Sequence, residues 1–248
     1  MIKQVAITGS NGFLGRGITE VLSHHYRLRL ADISHEPGLP GECLVGDVSQ
    51  LEDCRRIVQG VDALVITHMA PRLPDSYQDP ELPMNINVKG TAHLFHAAVE
   101  AGIKRICLIS SAGVVKGHPE GTFHTRELPL LGKDLYSLTK VLQEKIADHY
   151  HYHHGIPVSY LRPSGIVDAK ENTSKYGPEI PPRVEHLIDR HDLGEVVHRT
   201  LQFPDLKREI FYVFGHSSAD PHWDVAYTRK CLDWAPRYGD SELEALYS

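Results

Sequence analysis

The chain has 248 residues, 41% hydrophobic and 23% charged, a balance that indicates one globular domain, or one with a small appendage, with ample length for a buried core. Its 26 lysines and arginines against 32 acidic residues leave a formal charge of -6, which offers polyanions no general field, so nucleic acid is not an expected partner. No apolar run approaches the roughly 18 residues of a membrane span. Short runs rich in valine and isoleucine at 4–8, 27–31, 42–46, 63–67, 105–110, 158–162 and 210–214 read as strands, and helical periodicity falls between them at 13–23, 51–59, 82–101, 135–154 and 193–203. Strands apolar on both faces, alternating with helices, predict an α/β fold: a doubly wound parallel sheet covered by helices on each side. Stretches 113–133 and 165–190 are rich in Gly, Pro, His and charge. They are expected to be irregular excursions above the carboxyl edge of the sheet, where ligands of such sheets bind. The division that follows is a core of residues 1–164 continued by 191–214, with 165–190 and 215–248 as a small substrate-binding or capping portion.

Met1-Ile2-Lys3-Gln4 runs straight into Val5-Ala6-Ile7 without the basic and apolar regions of a secretion signal, and the cysteines at 43, 54, 107 and 231 lie far apart. Neither a disulfide framework nor a zinc knuckle is suggested, and a reduced cytoplasmic setting without membrane attachment is the expectation.

Thr8-Gly9-Ser10-Asn11-Gly12-Phe13-Leu14-Gly15 follows the first strand and opens the first helix. Gly9 permits the tight turn, Gly12 lets backbone approach a pyrophosphate, and Gly15 allows the helix to pack closely on the strand. The helix N-terminus presents unpaired amides to phosphate. Asp32, at the end of the second strand, is placed to accept from both hydroxyls of the adenosine ribose and to repel a 2'-phosphate. Ile33 and Ser34 follow with no arginine, so NAD is expected rather than NADP. Asp47-Val48 closes the third strand, where it reads either as a cap on adenine or, for Asp47, as the N-cap of the helix from Leu51.

Tyr136-Ser137-Leu138-Thr139-Lys140 sets a phenol and an ammonium one turn apart on one helix face. A tyrosine is a poor base at neutral pH, but a neighbouring ammonium favours the phenolate, and oxidising an alcohol requires a base for its proton. Ser111, at the end of the fifth strand, reads as a hydrogen-bond donor to the reacting oxygen or as a cap on its own turn. Of the seventeen histidines, only His149 and His153 in the run 149–154 stand at i, i+4 on a helix. No carboxylate or cysteine completes a set, so no metal site is expected.

In order and spacing, Thr8-Gly9-x-x-Gly12-x-x-Gly15, Asp32, Asp47, His68-Met69-Ala70, Asn87-Val88-Lys89-Gly90-Thr91, Tyr136-x-x-x-Lys140 and Leu161-Arg162-Pro163 resemble the extended short-chain dehydrogenase/reductase family, the NAD-dependent epimerases, dehydratases and sugar dehydrogenases. The resemblance covers essentially the whole chain. It implies a Rossmann-type fold with NAD across the sheet edge, contacted by Gly9, Asn11, Gly12, Phe13, Leu14, Gly15, Asp32, Ile33, Asp47, Val48, His68, Met69, Ala70, Asn87, Tyr136, Lys140 and Pro163. It also implies a homodimer through the helices near 82–101 and 135–154.

Counting back from Val115-Lys116-Gly117, which resembles the family's V-Y-G, the usual catalytic Ser/Thr position holds Ala112. A narrower similarity, to uronate dehydrogenases, makes the serine matching Ser111 the catalytic one. It is carried also by the tail Gly215-His216-Ser217-Ser218-Ala219 and Leu232-Asp233-Trp234-Ala235-Pro236. Against it, Ala112-Gly113 stands where that subgroup has Asn-His. The similarity implies Arg183, with Arg72, as a clamp for a substrate carboxylate, and Ser111 and Ser164 as further substrate ligands. The function implied is an NAD-dependent oxidoreductase acting on a sugar or sugar acid, such as a hexuronate at C1. Its base would be Tyr136, with Lys140 as electrostatic partner. Alternatives are a nucleotide-sugar epimerase or dehydratase, and a non-catalytic NAD-sensing or scaffold protein.

Overall fold

A computed structural model describes residues 1–34, 36–71 and 76–247. Strand β1 (Gln4–Thr8) leads into α1 (Phe13–Leu22), followed by β2 (Arg27–Asp32), β3 (Glu42–Val45), α2 (Leu51–Val58) and β4 (Ala63–Ile66). A single turn, α3 (Glu81–Pro83), runs through a π-helical stretch (Met84–Lys89) into α4 (Gly90–Ala101). Next come β5 (Arg105–Ile109), a 3-10 turn (Ala112–Val115), α5 (Leu135–His154) and β6 (Val158–Pro163). The remainder forms β7 (Gly165–Asp168), β8 (Thr173–Ser174), β9 (Leu187–Asp189), α6 (Arg190–Gln202), β10 (Arg208–Val213), α7 (Val225–Leu232) and α8 (Asp240–Glu244).

Seven parallel strands form one sheet in the order β10-β6-β5-β4-β1-β2-β3. The winding reverses between β1 and β4, which opens a crevice beyond their carboxyl ends. Side-chain alternation explains why the strands read as apolar throughout. Val5 and Ile7 of β1 join Ile18 and Leu22 of α1 and Leu193, Val196 and Val197 of α6 on one face. Ala6, between them, faces Ile57 of α2 and Leu94 and Phe95 of α4 on the other. With both faces covered, each buried Ile or Leu contributes about 1.5–3 kcal/mol. The sheet edge is therefore a rigid platform for whatever lies above it.

Helix α5 matches its predicted span because both ends carry local signals. Asp134 accepts from the Ser137 amide at 2.7 Å while Ser137 Oγ accepts from the Asp134 amide at 3.2 Å, and Gly155 ends the helix at φ 70. Helix α6 begins three residues before its predicted start, because Asp189 caps it through the His191 and Asp192 amides. The polar Arg190-His191-Asp192 turn concealed that start.

Segment 165–190 differs from the irregular excursion expected. It contains a small sheet ordered β8-β7-β9, built of strands too short for alternation to be read. Helices α7 and α8 in the tail were likewise not foreseen. All four cysteines are thiols, and among the described residues no helix is long and apolar enough to cross a membrane.

Candidate active site

The turn after β1 is shaped by close backbone approaches. Gly9 has φ +70, and a Cβ there would lie 2.8 Å from the His68 backbone at the end of β4. A Cβ on Gly15 would overlap the Gly9 carbonyl oxygen. No side chain caps α1, whose N-cap is Gly12, so its first amides point open-ended toward the crevice, the arrangement a diphosphate requires. Beside the turn, Asp32 is pinned by the Asn11 amide at 2.9 Å and the Ile33 amide at 2.8 Å. Its two oxygens retain acceptor capacity for ribose hydroxyls. Asn11 Nδ2 ties the turn to the Ser34 carbonyl at 2.8 Å.

At the end of β4, Thr67 Oγ1 donates to the Thr8 carbonyl at 2.6 Å, and His68 Nδ1 lies 3.0 Å from Thr8 Oγ1. Burial, with help from the Lys140 charge, pushes the His68 ring down to about 3, so it is neutral. Asn87 sits on the π-helical stretch, a form that recurs at functional sites. Its Oδ1 accepts from the Ala70 amide at 2.6 Å, and its Nδ2 donates to Thr139 Oγ1 at 2.9 Å and Tyr77 Oη at 3.2 Å. Asn87 thereby fastens the β4 exit to α5. Its side chain is spent on these bonds and lies beneath the site.

Above the sheet edge lies a cavity of about 890 Å³ lined by Gly9, Gly12, Phe13, Leu14, Gly15, Met69, Ala70, Ser111, Tyr136, Lys140, Pro163 and Ser164. The structure thus brings the turn, the phenol, the ammonium and both serines into one space. Lys140 is 3% exposed and donates to the Ile109 carbonyl at 2.9 Å. The half-buried Tyr136 ring meets the edge of Tyr77, with centroids 5.7 Å apart. Ser111 Oγ accepts from the Gly113 amide at 3.0 Å, which caps the turn and leaves its O–H to donate into the cavity. The two readings of Ser111 are therefore compatible.

Other anticipated residues lie elsewhere. Asp47 is not the N-cap of α2: Gln50 holds that position, while Asp47 Oδ1 closes a tight turn onto the Ser49 amide at 2.8 Å. Val48 is buried against Gly90. Ile33 is 75% exposed beside Asp32. Arg183 is exposed and does not line the cavity, although its neighbours Pro181 and Pro182 do. Arg72 lies outside the described residues.

Several contributors escaped sequence reasoning. The 165–190 segment supplies Ile166, Lys175, Tyr176, Glu179 and Ile180 to the lining, and the turn after β5 supplies Lys116. Beneath Ser111, Ser110 Oγ donates to Glu144 Oε1 at 2.5 Å, and Arg162 grips the same carboxylate at 2.9 and 2.7 Å. The signal for that pair was present, since Glu144 lies four residues beyond Lys140 on the Tyr136 stripe of α5. Asp168, Asp189 and His191 also cluster. Their oxygens are engaged by the Lys170, Glu171, Ala169 and His191 amides and by Arg190, which makes the cluster a structural knot.

Residues 5–202 match the sequence profile of the NAD dependent epimerase/dehydratase family. The chain belongs to that family. The family is, by its description, one of NAD dependent epimerases and dehydratases. It is 26% identical over 239 residues to a uronate dehydrogenase of Pseudomonas syringae pv. tomato, covering 94% of this chain and 82% of that protein. It is 31% identical over 176 residues to a 3-beta-hydroxysteroid dehydrogenase of Mycolicibacterium neoaurum, covering 66% and 47%. The chain spans about half the length of the steroid dehydrogenases it matches. Among solved structures, a mutant of uronate dehydrogenase from Agrobacterium tumefaciens complexed with NAD superposes with a TM-score of 0.80 at 21% identity, over 100% of this chain and 88% of that one. MoeE5 in complex with UDP-glucose and NAD gives 0.79 at 17% identity, over 98% and 96%. At these identities the structural likeness establishes the fold.

Proposed function

We propose that this protein oxidises a hydroxyl of a sugar or sugar acid, a hexuronate at C1 being the leading candidate. NAD, when bound, supplies the hydride acceptor. The Gly9–Gly15 turn and the open start of α1 would hold its diphosphate, and Asp32 the adenosine ribose. Lys140, fixed on the Ile109 carbonyl, would bind the second ribose and set a positive charge beside Tyr136. That charge favours the phenolate, which takes the proton of the substrate hydroxyl. Ser111 donates its O–H to the same oxygen and orients the alcohol. Pro163 and Ser164 also line the cavity.

The observation that carries this reading is the single cavity shared by the glycine turn, Ser111, Tyr136 and Lys140. The uronate assignment is supported by the relative that matches along nearly the whole chain. Replacing Tyr136 by Phe should abolish NADH production from glucuronate and galacturonate, followed by absorbance, while NAD binding measured by calorimetry persists. Undiminished turnover would refute the role. Conversion of UDP-sugars without net NADH would instead favour the epimerase reading. NAD binding without turnover over a broad panel would favour a sensor.

A further inference from the structure

One charge at the substrate end of the cavity has no part in the chemistry above. Among the described residues, the lysine, aspartate and glutamate side chains lining the space are Lys116, Lys140, Lys175, Asp134 and Glu179. The Lys140 ammonium is committed to the Ile109 carbonyl, and Asp134 to the first turn of α5. Lys175 lies over the Tyr176 ring, 5.1 Å from its centroid. Lys116 differs from these, because its ammonium makes no hydrogen bond or ion pair among the described residues.

Its placement follows from the 3-10 turn that Ser111 caps. Lys116 closes that turn, its amide donating to the Gly113 carbonyl at 3.1 Å. A rise of about 2 Å per residue keeps its backbone within about 10 Å of Ser111, a gap that its four-carbon stem and one sugar ring can bridge. The surroundings are predominantly cationic. The half-buried His186, on the 3-10 turn Val184–His186, is held below its ordinary value first by burial and then by the charges of Lys116, Arg183 and His222. Glu185 counters them at His186, and Asp134 and Glu179 are the acidic groups of the cavity lining among the described residues. Arg183, without lining the cavity, adds its positive charge at His186.

We infer that Lys116 selects the substrate's charge: its ammonium binds a carboxylate on the molecule whose hydroxyl faces Ser111 and Tyr136. This rests on the oxidoreductase reading for the identity of the reacting hydroxyl, and it names the residue that distinguishes a sugar acid from a neutral sugar. An ammonium on a cavity wall with no internal partner exchanges water for a carboxylate through a charge-assisted hydrogen bond. A neutral sugar makes no equivalent exchange.

The test is calorimetric titration of the NADH-loaded protein with glucuronate and with glucose, in the wild type, Lys116→Met and Lys116→Arg. The wild type should bind glucuronate about tenfold or more tighter than glucose. Lys116→Met should erase that preference and Lys116→Arg should restore most of it. With NAD, Lys116→Met should raise KM for glucuronate by a similar factor and leave kcat nearly unchanged. A preference that survives in Lys116→Met overturns the inference, as does a wild type that binds both sugars alike. A preference lost in Lys116→Met with no NADH formed by any variant supports Lys116 and refutes the oxidation. An unchanged KM for glucuronate in Lys116→Met, with NADH formed as in the wild type, upholds the oxidation and refutes the role of Lys116.

Discussion

Replacing Arg162 by Met removes one half of an ion pair buried beneath Ser110 and Ser111. Arg162 is 1% exposed and Glu144 0%. The guanidinium makes two bonds to the Glu144 carboxylate, at 2.9 and 2.7 Å, and a third to Tyr212 Oη at 3.0 Å. Burial works against the Arg162 charge, but Glu144 more than offsets it and raises the group above its ordinary value. Without Arg162, the only side-chain hydrogen bond left to the carboxylate among the described residues is that from Ser110 Oγ. Leaving one charge of a buried pair uncompensated costs about 3–5 kcal/mol. At about 2–4 °C per kcal/mol for a chain of this size, the midpoint of thermal unfolding should fall by about 6–20 °C. The double variant Arg162→Met, Glu144→Leu should recover most of that loss, because no charge remains buried. Circular dichroism melts of both variants make the comparison, and kcat below the transition should fall more than NAD affinity, since Ser110 and α5 hold Ser111 and Tyr136 in place. A loss below about 1 kcal/mol in the single variant, or a double variant as unstable as the single, would refute this account.

In Gly15→Ala the new methyl meets the Gly9 carbonyl, so α1 must shift out of the phosphate-binding position. The wild type should gain about 2.7 kcal/mol of stability at NAD concentrations near 100 Kd, and the variant should lose most of this thermal shift at the same concentration. His68 is held neutral, down to about 3, so the unfolded chain takes up a proton near pH 6.5 that the folded chain refuses. Its contribution is complete above that pH and declines as pH falls, by about 2 kcal/mol from pH 7 to 5. Urea unfolding of His68→Gln should show a correspondingly flatter acid limb. Asp192 acts in the opposite sense: burial raises it to about 6, so its contribution is complete at low pH and is lost as pH rises through 6. Asp192→Asn should therefore steepen the net acid loss between pH 7 and 5 by about 1 kcal/mol, and an unchanged slope would show that Asp192 does not titrate as described.

The parts of the site legible in the sequence are those whose geometry is set within one turn of backbone. The glycine turn, Asp32 at a strand end and the Tyr136–Lys140 spacing each carry their own conformational signature, and Asp134, Ser137 and Gly155 mark both ends of α5. Asp47 misled because a carboxylate a few residues before a helix suits either a cap or a tight turn, and only the observed Ser49 contact distinguishes them.

Taken alone, the order of residues determined that a parallel sheet would form, that its first turn would suit a dinucleotide, and that a phenol and an ammonium would share a helix face. These follow from periodicity and from interactions within a few positions of one another. Tertiary structure decided that Lys116 lines the cavity while Arg183 stands outside it, that segment 165–190 folds as a small sheet, and that Arg162 meets Glu144 beneath Ser110. Those outcomes depend on where distant segments cross the sheet edge, and nothing local to any one of these residues encodes the path that the others take.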